Sequence, residues 1–164
     1  MLDEIPWQQH DITLFGRTVP QPRLLAWIGD GPYRYSGRTY APGPWTPTLR
    51  AVKARVEATV GQRFDAVLCN RYRDGQDSMG RHSDDEPELG PVIASVSLGA
   101  VRTFVLRHRH EPRVHRLPLA PGSLLVMAGA TQRDWTHALP KTARPVGERI
   151  NLTFRTLVAQ GRTR

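Results

Sequence analysis

From Phe64 to Val158 the chain is a succession of short β-like runs broken by Gly, Pro and Asp, and this pattern leaves few folds open to it. FDAVLCNRY, VIASVSLG, VRTFVLRH, HRLPL, PGSLLVMAG and RINLTFRTLV each read as a strand, while RDGQDSMG reads as a turn and DDEPELGP and TARPVGE as loops. RHEPRVHR reads as a basic hairpin tip. Many short strands with turn signals at close spacing suggest a sandwich or a barrel. One helix precedes them, over residues 46–60. Thr46 is a good N-cap, Pro47 suits the first turn, and Leu49, Val52, Val56 and Val60 recur at helical spacing before a Gly61 stop. Its role is structural, with one face packed on a sheet.

A chain of 164 residues with no repeat and no dividing linker reads as one domain, 1–164. No apolar run approaches membrane-spanning length, and MLDEIPWQQH lacks the pattern of a secretory signal. The expectation is a soluble, cytoplasmic protein with no membrane partner. Cys69 is the single cysteine, so no internal disulfide can form, and its place in AVLCN marks it as a buried small hydrophobe. The net charge is +8, and apart from Lys53 and Lys141 every basic residue is Arg. Two readings stay open: a polyanionic partner such as nucleic acid, or an Arg-rich coding bias.

The stretch VLCNRYRDGQDSMGRHSDDE concentrates chemistry around His82-Ser83-Asp84. On extended backbone a His and a carboxylate two apart project to the same side. That arrangement suits adjacent positions on one metal, and a distant second His would complete the facial triad of non-haem Fe(II) oxygenases. His10 is near the terminus, and His108, His110 and His115 lie among arginines, where solvated or phosphate-facing roles fit better. His137, in DWTHALPK, is the best-placed third ligand. Three protein ligands leave positions for a bidentate cosubstrate and oxygen.

In RINLTFR, strict alternation puts Arg149, Asn151, Thr153 and Arg155 on one face and Ile150, Leu152 and Phe154 on the other. The pattern fits a strand with one wet face. It fits equally a dicarboxylate clamp, with Arg supplying paired charge-assisted hydrogen bonds. Asn70 and Tyr72 share a face of their own strand. A triad beside such a clamp points to 2-oxoglutarate. Upstream, Tyr33, Tyr35 and Tyr40 alternate with Arg34 and Arg38, the residue types that stacked bases and phosphates require, or else a loop pinned by aromatic packing. Leu14 and Phe15 before Gly16 form either a buried pair or an exposed wedge at a turn.

In order and spacing, PRLLAWIGD, PYRYSG, NRYRDGQDSMGRHSDDE, SVSLGAVRTFVLRH, LPLAPGSLLVM, THALPK and RINLTFR resemble the AlkB family of Fe(II)/2-oxoglutarate-dependent nucleic-acid dealkylases, from about Phe15 to Val158. The resemblance is nearest to the subgroup acting on alkylated DNA, duplex included. It implies a mainly β, α+β fold, a double-stranded β-helix (jelly roll) over about 64–158 with the helix packed outside, and a nucleotide-recognition region over about 1–45. It implies Fe(II), 2-oxoglutarate and O2 as cofactors, and His82, Asp84 and His137 as catalytic metal ligands. It implies Asn70, Tyr72, Arg149, Asn151, Thr153 and Arg155 as the 2-oxoglutarate site, with Tyr72 and Arg149 at the distal carboxylate and Arg155 nearer the metal. Tyr33 and Tyr35 match the flipped-base pocket, Glu86 the residue that reads the base edge, and Leu14, Phe15 and Gly16 the finger that fills the gap left by the base. The implied activity is oxidative removal of N-alkyl groups (N1-methyladenine, N3-methylcytosine) from DNA by a monomer, with 2-oxoglutarate decarboxylated to succinate. The same chemistry on RNA or protein, and a silent nucleic-acid-binding module, are the alternatives. The chain departs from the subgroup at Ser83, where a basic residue is usual, and in its short RHRHEPRVHR hairpin.

Overall fold

A computed structural model describes residues 2–14, 16–35 and 38–158. The helix forms where its signals place it. The Thr46 hydroxyl accepts from the Leu49 N–H at 3.2 Å, Pro47 opens α1 (Pro47–Val60), and Gly61 closes it at φ 73° with its N–H bonded to the Glu57 carbonyl. Ahead of α1 lie β1 (Asp11–Leu14), β2 (Arg17–Pro20), β3 (Leu24–Gly29), β4 (Tyr33–Tyr35) and β5 (Arg38–Tyr40). After it come β6 (Ala66–Tyr72), β7 (Met79–His82), β8 (Leu89–Gly99), β9 (Arg102–His108), β10 (Val114–Leu119), β11 (Leu124–Met127), the single turn α2 (Thr131–Asp134), β12 (Trp135–Leu139) and β13 (Arg149–Leu157).

Two antiparallel sheets make the body. The larger runs β11-β8-β13-β6-β3 and the smaller β10-β9-β12-β7, while β1-β2 and β4-β5 are separate hairpins. This is the mainly β jelly roll with α1 outside. One face of the larger sheet, with Ala26, Ile28, Val67, Cys69, Ala94, Val96, Ile150, Leu152 and Phe154, packs on Leu49 and Val56 of α1. Burying this apolar layer stabilises the fold by roughly 25 cal/mol per Å2 of apolar surface removed from water. Cys69 is fully buried in it, and burial pushes its thiol pKa up to about 12. Among the described residues no helix is long and apolar enough to cross a membrane.

The opposite face of the larger sheet meets the smaller one. Register aligns it: Arg149 lies between Tyr72 and Gly99, Asn151 between Asn70 and Ser97, and Thr153 between Leu68 and Ser95. Gly99, at φ 78°, passes so close to the Glu148 carbonyl that a Cβ there would collide with it.

Two boundaries differ from the sequence reading. β3 falls ahead of the helix, where no strand was expected. LLAWI is a continuous apolar run because both faces of β3 are buried, so it lacks the alternation that marks a half-exposed strand. β8 begins at Leu89, inside the presumed loop, because Leu89 pairs with Leu157 of β13.

Candidate metal centre and cosubstrate pocket

The three candidate ligands converge. His82 ends β7 and His137 sits in β12, directly opposite in register, with ring centroids 4.3 Å apart. Asp84 follows two residues beyond His82. One ligand atom from each of the three lies within 4.8 Å of the others. Each imidazole Nε2 is 3.5 Å from an Asp84 oxygen, longer than a hydrogen bond and suited to donors that share one ion. His82 Nδ1 faces the Gly80 carbonyl at 2.9 Å, which makes Nδ1 the protonated nitrogen and leaves the Nε2 lone pair toward the site. Phe104 stacks on His137 at 5.2 Å.

The electrostatics favour a cation. Burial pushes the Asp84 carboxyl upward, but the Arg155 guanidinium at 3.0 Å and the two imidazoles outweigh it and hold Asp84 well below the usual carboxylate range. Burial lowers the pKa of His137 against the pull of Asp84, which favours the neutral imidazole, the form that ligates. Two imidazoles and one carboxylate on a single side are the donor set of an Fe(II) facial triad.

Beside the triad, Asn70, Tyr72, Arg149, Asn151, Thr153 and Arg155 line the same pocket, with Leu68, Met79, Ser95, Phe104 and Met127. All seven residues from Arg149 to Arg155 are buried, so the polar face of β13 is interior and not a wet outer face. Arg149 is 2% exposed; it donates to the Ser97 hydroxyl at 2.8 Å, lies 5.5 Å from the Tyr72 ring, and its Nε has no hydrogen-bond partner. Burial lowers its pKa, and Arg102 adds a second positive charge nearby. The Tyr72 phenol is pushed up by burial, although Arg23, Arg149 and Arg102 all pull it down. A buried guanidinium with no carboxylate beside it fits an anionic ligand. Asn151 donates to the Ser95 hydroxyl at 2.7 Å and to the Val96 carbonyl at 3.0 Å, and accepts from Thr153 at 2.9 Å. Arg155 stands at the metal end, on Asp84.

Glu86 is half-buried in the loop after Asp84 and is not among the residues that line this pocket. Tyr33 and Tyr35 flank Arg34 on β4, paired in register with Tyr40 and Arg38 of β5. Leu14 ends β1 and Gly16, at φ 77°, turns into β2, while Phe15 lies outside the described residues.

Several site residues gave little or no sequence signal. Arg23 is 6% exposed and donates from Nε to Asn70 Oδ1 at 2.9 Å, which turns the Asn70 amide nitrogen away from itself. Arg102, 3% exposed, donates to the carbonyls of Asp74, Asp77 and Pro140, tying the turn before β7 to the end of β12. Ser95 and Ser97 did carry a signal: small polar residues two apart inside an apolar strand.

Asp77 secures that turn by accepting from the Arg73 backbone N–H at 2.9 Å and its guanidinium at 2.8 and 2.9 Å. Burial raises its pKa, but the Arg73 hydrogen bonds win and hold it below 3.8. A carboxyl lowered on folding stabilises the protein above its unfolded pKa, and that contribution is lost as pH falls through the folded value. Asp77→Asn is therefore expected to cost about 1 kcal/mol at neutral pH, given that Arg73 is partly exposed. Urea melts at neutral pH and below pH 3.8 check this; a deficit unchanged by acid would refute the ion-pair account.

The profile of the 2OG-Fe(II) oxygenase superfamily matches residues 1–155. The alpha-ketoglutarate-dependent dioxygenase alkB homolog 3 of Rattus norvegicus is 46% identical over 96% of this chain and 57% of its own length. The DNA oxidative demethylase ALKBH2 of Homo sapiens is 44% identical over 90% of this chain and 61% of its own. This chain thus spans little more than half the length of these relatives. A solved structure titled "The structure of OsALKBH1" superposes with a TM-score of 0.62 at 20% identity, covering 82% of this chain and 78% of that one, and supports the fold. Fe(II), 2-oxoglutarate and O2 are the cofactors of the superfamily, and the donor set fits them. The chain belongs to the 2OG-Fe(II) oxygenase superfamily and, within it, to the AlkB family.

Proposed function

We propose that this chain removes N-alkyl groups, N1-methyladenine and N3-methylcytosine foremost, from DNA by oxidation, coupled to decarboxylation of 2-oxoglutarate to succinate. The observation that carries this reading is the meeting, in one buried pocket, of the His82–Asp84–His137 set with Arg149, a buried cation with no carboxylate partner among the described residues. His82, Asp84 and His137 hold the metal. Fe(II), with 2-oxoglutarate and O2, supplies the oxidising power that converts an N-methyl group into a hydroxymethyl group, which leaves as formaldehyde. Arg149 and Tyr72 bind the distal carboxylate of 2-oxoglutarate, Asn70, Asn151 and Thr153 shape its cavity, and Arg155 keeps Asp84 ionised. The chain 1–164 acts as one catalytic unit, with 1–45 recognising the nucleotide and 64–158 forming the core.

The target nitrogen lies inside the base stack, so the base must be extruded at a cost of roughly a few kcal/mol, less when alkylation already blocks pairing. Tyr33 and Tyr35 stack on the extruded base, Glu86 reads its edge, and Leu14, Phe15 and Gly16 fill the gap. The net charge of +8 supports a phosphate-bearing partner. Mass spectrometry of oligonucleotides bearing either lesion tests the reading: loss of one methyl mass, dependent on both Fe(II) and 2-oxoglutarate, is the expected result. Succinate without base repair would move the reaction to RNA or protein, and neither product would leave a binding module. Phe15→Ala is expected to slow repair of duplex substrate more than of single strands. Equal slowing on both would return Phe15 to a packing role.

A further inference from the structure

His82 and His137 are fixed by strand pairing, but Asp84 lies past the end of β7 in chain without regular structure. A ligand on irregular backbone keeps its position only if something outside the segment holds it. Two side chains from the other side of the site do so. Gln132, on α2, accepts the Asp84 backbone N–H on Oε1 at 2.9 Å and directs Nε2 to Met127 Sδ at 3.8 Å. A backbone N–H can only donate and a thioether can only accept, so the amide has one satisfactory orientation. Arg109, at the β9–β10 tip, donates to the Ser83 hydroxyl at 2.6 Å and lies 3.8 Å from Asp85, while its own N–H donates to the Asp134 carbonyl at 2.8 Å.

The Arg109 arm is itself braced. His108 Nδ1 accepts from the N–H groups of His110 at 3.3 Å and Glu111 at 3.0 Å, and Arg113 pairs with Glu111 and lies 5.5 Å from the Trp135 ring. The guanidinium of Arg109 thus arrives, from a shaped turn, on the residue between two metal ligands.

We propose that Gln132 and Arg109 are positioning residues of the metal centre, holding the Ser83–Asp84 backbone so that the Asp84 carboxylate meets the ion with His82 and His137. The inference rests on the metal reading of those three residues. It makes α2 and the hairpin tip parts of the metal site, although neither contributes a ligand.

Mn(II) binding followed by electron paramagnetic resonance, with melting of the metal-free protein alongside, tests it on the full chain. Gln132→Met keeps the volume but removes the acceptor, and is expected to weaken Mn(II) binding about tenfold or more while the metal-free protein melts as wild type does. Gln132→Glu keeps an acceptor oxygen and is expected to bind at wild-type strength or tighter. Arg109→Met is expected to weaken binding less, since it acts through Ser83. Wild-type affinity in Gln132→Met, a loss that Gln132→Glu shares, or an affinity loss matched by a fall in metal-free melting temperature would each overturn the proposal. Undiminished Mn(II) binding by Asp84→Ala would instead overturn the metal reading beneath it, which keeps the two failures distinct.

Discussion

Asp84→Ala is expected to abolish turnover and metal binding together, and to destabilise the fold as well. Asp84 is the one anionic ligand, and without it two neutral imidazoles hold the ion with no charge to oppose it. The same carboxylate faces Arg155 at 3.0 Å, with both side chains at most 5% exposed. Removing one member of a buried ion pair costs about 3–5 kcal/mol, because the other charge stays behind without compensation. Against a total of about 5–15 kcal/mol, that is a large share. Loss of activity in Asp84→Ala alone could therefore report unfolding. Asp84→Asn separates the two effects. It keeps the side-chain volume and a carbonyl oxygen for Arg155 but has no charge, so it should melt closer to wild type while binding the metal as poorly as Asp84→Ala. Circular dichroism melts beside Mn(II) titrations and the demethylation assay measure all three quantities. A well-folded Asp84→Asn that binds metal and turns over like wild type would remove Asp84 from the metal centre.

What the sequence made legible was chemistry carried by a local period. In β13 alternation alone sorted Arg149, Asn151, Thr153 and Arg155 from Ile150, Leu152 and Phe154, and the two sets do line the pocket and the α1 core respectively. Whether the polar set faced water or an interior was not in that period. It is decided by the smaller sheet lying across it, which no residue of β13 encodes. His82 and Asp84 were legible from their spacing, and His137 by comparison with histidines set among arginines. Arg23, Arg102 and Gln132 were not legible, because each is a lone polar residue whose partner is remote: Arg23 reaches Asn70 across 47 positions, Arg102 reaches Asp77 across 25, and Gln132 reaches Asp84 across 48. Strand β3 was hidden for another reason. Burial on both faces erased the alternation that would have marked it.

Arg149→Met is expected to do the reverse of Asp84→Ala: to lose 2-oxoglutarate while leaving the fold as stable as before, or more so. Arg149 is a buried cation that, among the described residues, hydrogen-bonds only to the neutral hydroxyl of Ser97, with Arg102 adding repulsion. Replacing a buried charge of this kind by an apolar side chain of similar volume is often neutral or stabilising, by about 1–4 kcal/mol. Losing its bonds to a bound carboxylate has the opposite sign. Charge-assisted hydrogen bonds contribute about 1.5–3 kcal/mol each, so KM for 2-oxoglutarate should rise on the order of 10- to 100-fold or more. Arg149→Lys keeps the charge but not the paired geometry and should fall between the two. Melting with and without 2-oxoglutarate reads both effects in one series, since a ligand that binds only the folded state raises the melting temperature by an amount that grows with the logarithm of its concentration over Kd. The expected pattern is an unchanged or higher melting temperature without the cosubstrate, and a lost upward shift with it. An Arg149→Met protein that melts well below wild type yet keeps the full 2-oxoglutarate shift would make Arg149 a structural residue of β13 and leave the distal carboxylate to Tyr72 and its neighbours.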